Sequence, residues 1–262
     1  MTSIKYKYIF GNWKLNKTNN EIIDYFHFLN NYLKKNKKLS SCKSLICGLA
    51  PTFLGLSIAT SLKDKKINII AQDVCDAEGG SYTGQIGCKQ LKDLHIKYTI
   101  IGHSETRKYL NVDDKIVNKK LITCFKNKII PIVCIGEPIY YYKNNQTKKF
   151  LLNQLKTIFC NVNNVSMQKW IIAYEPLWAI GTGKTPSLLE IENICKFIKG
   201  SIKKILNSSP LSQIPILYGG SVNEINATSI SNQKDVDGLL IGAASLDVYK
   251  FIKILESIVN EK

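Results

Sequence analysis

Eight short apolar runs recur along the chain, at 5–11, 44–49, 67–72, 98–102, 129–135, 169–175, 214–219 and 236–242. Each is rich in Ile, Val, Leu or Tyr and reads as continuous, not alternating. That is the pattern of strands covered by protein on both faces. Helical spacing recurs between the runs, over 20–34, 113–126, 148–159, 187–206 and 247–259. Eight strands, each followed by a helical segment at ~30-residue intervals, predict an α/β fold: a single-domain (β/α)8 barrel with eight parallel strands, occupying 1–262. A doubly wound open sheet is the alternative, because periodicity does not distinguish a closed barrel from an open edge. The polar stretches 144–146 and 161–164 have the size of loops and do not divide the chain.

Charge raises a competing possibility. The chain carries 36 basic and 20 acidic residues, a formal net charge of +16, which in isolation suggests a polyanionic partner. Only Arg107 is arginine, however, and the lysines are spread along the chain. Lys, Asn and Ile fill 95 of the 262 positions, and all three use A/T-rich codons. Arginine is the better residue for bidentate phosphate and base-edge contacts. No nucleic-acid partner is therefore expected, while some steering of small anions fits the charge. No run approaches the ~18 apolar residues of a membrane span, and the first thirty residues lack a secretory signal. The eight cysteines form no C-x-x-C pair, and His27, His95 and His103 are not at zinc-finger spacing. The expectation is a reduced, cytoplasmic protein with no metal and no membrane partner.

In a barrel, chemistry gathers where strands end and loops begin. The first strand ends in Gly11-Asn12-Trp13-Lys14. Lys14 is either a solvated turn lysine or a fixed positive charge for an anionic substrate, and Asn12 is suited to hydrogen-bond an oxygen that gains charge. The fourth run ends in Gly102-His103-Ser104-Glu105. An imidazole there is either structural or placed to polarise a carbonyl and move protons between adjacent oxygens. The sixth ends in Glu175-Pro176. A carboxylate closing an apolar strand needs a partner or a task; a partly desolvated base would remove a proton from carbon next to a carbonyl. The lid-like segment that follows includes Pro176, Trp178, Ile180, Gly181, Thr182, Gly183, Lys184 and Thr185. Its Gly-Lys-Thr ending fails the P-loop pattern, since the first glycine position holds Trp178. Pro and Gly punctuation around apolar residues suits a loop that folds over a ligand and excludes water. The last two strands end in Tyr218-Gly219-Gly220-Ser221 and Ile241-Gly242-Ala243-Ala244-Ser245, where barrels commonly hold phosphate on backbone amides.

These segments, together with Cys134-Ile135-Gly136-Glu137 and Asp235-Val236-Asp237-Gly238, occur in one order across essentially the whole chain. The sequence resembles the triosephosphate isomerase family, with its TIM-barrel fold. The resemblance implies interconversion of dihydroxyacetone phosphate and glyceraldehyde 3-phosphate in glycolysis and gluconeogenesis, without metal or organic cofactor. Its mechanism serves as a standard case of acid–base tuning and lid closure. By that resemblance Glu175 is the base, His103 the neutral electrophile, and Asn12 and Lys14 support the enediolate. The amides of Gly181, Ser221, Gly242 and Ala243 are expected to hold the phosphate. Ser104 is expected to orient Glu175, and Glu137 to support the site. The family is usually a homodimer, so the segment 74–87 is expected to reach a neighbouring subunit, Thr83 bridging towards its site.

Two departures stand out. Gln85, Thr106 and Val112 replace the glutamate, arginine and glutamate common in the family, which suggests a charged subunit contact neutralised as a unit. Losing one member alone would strand a partly buried charge at a cost of roughly 3–5 kcal/mol. Ala243 replaces a glycine in the phosphate turn. Alanine is tolerated there at negative φ and costs about 1 kcal/mol at positive φ.

Overall fold

The computed structural model describes residues 5–162, 169–182, 184–206 and 214–260. Eight strands, β1 (Lys7–Asn12), β2 (Leu45–Ala50), β3 (Ile67–Ala71), β4 (Tyr98–Ile101), β5 (Ile130–Ile135), β6 (Ile171–Tyr174), β7 (Ile216–Tyr218) and β8 (Gly238–Ile241), form one closed parallel barrel. Closure is made by β8 against β1, with Tyr8 opposite Gly238 and Gly11 opposite Ile241. The open-sheet alternative is thereby eliminated.

Helices surround the barrel. The longer ones are α1 (Asn19–Lys35), α6 (Asp114–Lys126), α8 (Thr147–Ile158), α9 (Leu188–Ile205) and α11 (Val248–Asn260). Shorter ones are α2 (Lys37–Ser41), α3 (Leu56–Leu62), α4 (Cys88–Asp93), α5 (Ser104–Leu110), α7 (Ile139–Lys143) and α10 (Ala227–Ser231). The starts of α1 and α9 are written in the sequence as reciprocal capping boxes, Thr18 with Glu21 and Ser187 with Glu190. Each satisfies two otherwise unpaired amides.

The continuous apolar strands serve two separate cores. Phe10, Ile70, Ile100, Ile132, Leu217 and Leu240 point inward and fill the barrel. Their neighbours in sequence, among them Ile9, Ile69, Ile101, Val133, Leu239 and Ile241, face the helices instead. With both faces buried, both alternate positions are mainly apolar, Lys7, Asn68 and Thr99 being among the polar exceptions.

Five of the expected strands extended past the observed ladder, to Gln72, Gly102, Glu175, Gly219 and Gly242. At those positions the backbone leaves its strand and turns, so the polar residues stand just above the barrel's rim. The six short helices, of five to seven residues, are not long enough to establish a helical period.

Candidate active site

One pocket of about 180 Å3 opens at the carboxyl end of the barrel. It is lined by Asn12, Lys14, His103 and Glu175 on one side, and by Ile180, Gly181, Ser221, Gly242 and Ala243 on the other. Residues separated by more than two hundred positions are brought together because every strand points the same way.

Lys14 follows β1 with a left-handed φ of 54°, and two contacts hold that turn. Its amide donates to Asn12 Oδ1 at 3.0 Å, and Gln72 Nε2 donates to its carbonyl at 2.8 Å. The ammonium donates to Glu105 Oε1 at 2.8 Å, which anchors it beside the start of α5. Because Asn12 Oδ1 is occupied by that amide, its NH2 is left for the pocket.

His103 is buried and stands at the N-terminal end of α5. The Glu105 amide donates to its Nδ1 at 3.2 Å, so that nitrogen is an acceptor and Nε2 carries the proton. Nε2 lies 3.2 Å from Glu175 Oε1. Glu175 is 2% exposed, and its second oxygen accepts from the Ser104 amide at 3.3 Å. Ser104 thus meets Glu175 through its backbone amide. An imidazole N–H and a carboxylate at this separation address neighbouring atoms of a small substrate.

Glu137 and Trp178 join the loop after β5 to the segment after β6. The indole Nε1 donates to Glu137 Oε1 at 2.9 Å, and Tyr174 Oη donates to the same oxygen at 3.2 Å. Burial pushes the Glu137 carboxyl above the usual range, and these hydrogen bonds work against that rise. The other indole face is covered by Tyr142 of α7, stacked at 4.0 Å between centroids and 27° between planes. Further along the lid, Ser221 Oγ donates to the Ala179 carbonyl at 2.6 Å. Gly181, Thr182, Lys184 and Thr185 are exposed, Gly181 at φ 66°; Pro176 is buried, and Gly183 lies outside the described residues.

Ala243 opens a single 3-10 turn, Ala243–Ser245, and neither it nor Gly242 has a positive φ. The methyl group costs no backbone strain here. On the segment 74–87, Thr83 and Gln85 are exposed. Thr106 donates to the His103 carbonyl at 2.9 Å, and Val112 is buried.

The family model described as Triosephosphate isomerase matches residues 7–258. The chain belongs to the triosephosphate isomerase family. A relative named triosephosphate isomerase from Mycoplasmoides gallisepticum is 39% identical over 257 residues, covering 98% of this chain and 100% of that protein. Another with that name, from Mesomycoplasma hyorhinis, is 40% identical over 248 residues, covering 94% and 96%. A third, from Mycoplasmopsis pulmonis, is 37% identical over 250 residues, with 94% and 96% covered.

Four residues around this isomerase-family pocket were given no role from the sequence: Gln72, Glu105, Arg107 and Tyr142. Glu105 and Gln72 hold Lys14; both stand in strand-end segments, but their contact with Lys14 has no local signal. Arg107 did leave a signal, being the one arginine in the chain. Tyr142 stands in a run of three tyrosines whose partner only the fold reveals. Among the described residues no group of three His, Cys, Asp or Glu could hold a metal ion, and no helix is long and apolar enough to cross a membrane.

Proposed function

We propose that the triosephosphate isomerase reaction of this chain, the interconversion of dihydroxyacetone phosphate and glyceraldehyde 3-phosphate, runs through Glu175, His103, Lys14 and Asn12. The observation that carries this reading is the approach of His103 Nε2 to Glu175 Oε1 at 3.2 Å inside a pocket floored by Asn12 and Lys14. Glu175 takes a proton from the hydroxymethyl carbon of dihydroxyacetone phosphate, and the electron pair moves onto the carbonyl oxygen. His103 donates a hydrogen bond from Nε2 to that oxygen, and Lys14 and Asn12 stabilise the enediolate charge. His103 moves the proton of the neighbouring hydroxyl onto that oxygen, and return of the carbon-bound proton from Glu175 to the former carbonyl carbon completes the aldose. The phosphate is held by the amides of Gly181, Ser221, Gly242 and Ala243. The lid from Pro176 to Thr185 closes over the intermediate and excludes water.

The chain acts as one barrel domain, in the cytoplasm and without a cofactor, as part of glycolysis and gluconeogenesis. It pairs with a second copy of itself. Support for pairing comes from large apolar side chains left exposed in the isolated chain: Leu15, which follows Lys14, Tyr82, in the segment 74–87, and Tyr109 and Leu110, at the end of α5. The segment 74–87, with Thr83 and Gln85, reaches the neighbouring subunit in this reading.

Glu175→Gln tests the base assignment, since it keeps the side-chain shape and removes proton acceptance. In a coupled assay of glyceraldehyde 3-phosphate turnover, kcat falls by about 10²–10⁴-fold. Equal rates in the two proteins would end the assignment.

A further inference from the structure

We propose that Arg107 is the positioning residue for His103, fixing the strand end from which the imidazole is aimed. The inference rests on the reading of His103 as the electrophile. It adds to that reading a side chain that touches no substrate.

Arg107 lies one turn into α5, and its guanidinium is largely buried. Three donors reach three acceptors on three different elements. Nε donates to the Gly102 carbonyl at 2.6 Å, where β4 has just ended. Nη2 donates to the Cys134 carbonyl at 3.2 Å, in β5. Nη1 donates to Asp114 Oδ1 at 2.7 Å, in the first turn of α6. Gly102 directly precedes His103 and turns at φ 67°, a conformation in which its carbonyl leaves the barrel ladder. A Cβ at Gly102 would meet Val117 Cγ2 at 2.6 Å and Arg107 Nη2 at 3.0 Å, so the guanidinium fills the space beside that turn.

The same helix also holds the rest of His103. The Arg107 amide and the Thr106 hydroxyl both donate to the His103 carbonyl, at 3.0 and 2.9 Å. The Glu105 amide donates to Nδ1. The backbone before the histidine, its carbonyl and its ring are therefore fixed by consecutive residues of α5, and Arg107 ties that assembly to the two strands beneath.

Composition supports the need for this particular group. At 35 other positions the chain supplies its positive charge as lysine. An ammonium is a point donor on a flexible stem, whereas the planar guanidinium fork spans diverging acceptors. Lysine at 107 would reach one or two of the three acceptors and leave the others unpaired. That leaves the Gly102 turn free to shift, and a displacement of about 1 Å at a reacting group costs up to ~10²-fold in rate.

Arg107→Lys and Arg107→Ala test the assignment, each confirmed as folded by circular dichroism. In Arg107→Lys, kcat falls about 10- to 100-fold, KM for glyceraldehyde 3-phosphate stays within about twofold, and the His103 Nε2–H proton resonance moves. In Arg107→Ala, low millimolar guanidinium chloride restores part of kcat, and equal sodium or ammonium chloride does not. An Arg107→Lys protein with unchanged kcat overturns the proposal. So does a kcat loss with an unmoved His103 resonance, or rescue that sodium chloride reproduces. Should Arg107→Ala fail to fold, Arg107→Lys decides alone. Wild-type protein without isomerase activity would instead overturn the functional reading on which this one rests.

Discussion

Gly136 offers a quantitative link between barrel packing and the proposed base. It follows β5 directly, and a Cβ built on it would lie 1.7 Å from the Glu175 carbonyl oxygen and 2.7 Å from the Glu175 carbonyl carbon. Contacts under 3.0 Å do not occur at real Cβ atoms, so in Gly136→Ala the two backbones separate by at least about 1.3 Å. The atoms that must move are main chain, and Glu175 N is itself tied to the Ile135 carbonyl at 2.8 Å. Overpacking of this kind destabilises by about 1–3 kcal/mol. The rate should suffer more, because an ångström of displacement at a reacting group costs up to ~10²-fold. Gly200 is the control: it lies in α9 with nothing within 4 Å of an added Cβ. Gly200→Ala should raise stability by about 0.5–1 kcal/mol through helix propensity alone. Urea unfolding and steady-state kinetics on both variants give the two readings. Wild-type kcat in a folded Gly136→Ala protein would show that the β5–β6 rim does not set the position of Glu175, and the reasoning would fail.

Three further outcomes follow from the site. Tyr142→Ala removes the ring stacked on Trp178, an interaction worth about 0.5–1.5 kcal/mol; closure of the proposed lid draws Trp178 off that ring, so the Kd of glycerol 3-phosphate falls about two- to tenfold, and an unchanged Kd by calorimetry counts against it. Glu137, raised above the usual carboxylate range by burial, holds its proton in the folded chain at pH values where the unfolded chain has released it. Its contribution to stability is therefore full below the unfolded pKa and is lost as pH rises through the folded one; Glu137→Gln should flatten that part of a pH series of urea midpoints, and an unaltered slope would refute it. Ala243→Gly relieves no strain, because φ there is not positive, and KM for glyceraldehyde 3-phosphate should stay the same or fall slightly; a large rise would mean the turn is wrongly described.

Much of the architecture was legible in one dimension. Eight apolar runs without alternation require strands covered on both faces, and helical segments between them require parallel neighbours, so the barrel follows once closure is allowed. His103, Glu175 and Lys14 stood out as candidates for a related reason. A charged or polar residue ending an apolar strand needs a partner or a task, and strand ends all reach the same rim. The anchors of the lid and of Lys14 were not legible in this way. Glu105 pairs with Lys14 across 91 positions, and Tyr142 meets Trp178 across 36, so neither contact has a local pattern. Even Arg107, conspicuous as the one arginine, gave no hint of its three acceptors, since two are carbonyls that every residue carries.

The sequence by itself determined which segments are strands, which strand-end groups are candidates for chemistry, and where the long helices start, because burial pattern and capping are local properties. Only the tertiary structure decided that β8 returns to β1, that Nε2 and not Nδ1 of His103 faces Glu175, and that Ala243 sits without strain. Those depend on distances between residues remote in the chain and on backbone angles set by the surrounding fold, and residue order alone encodes neither.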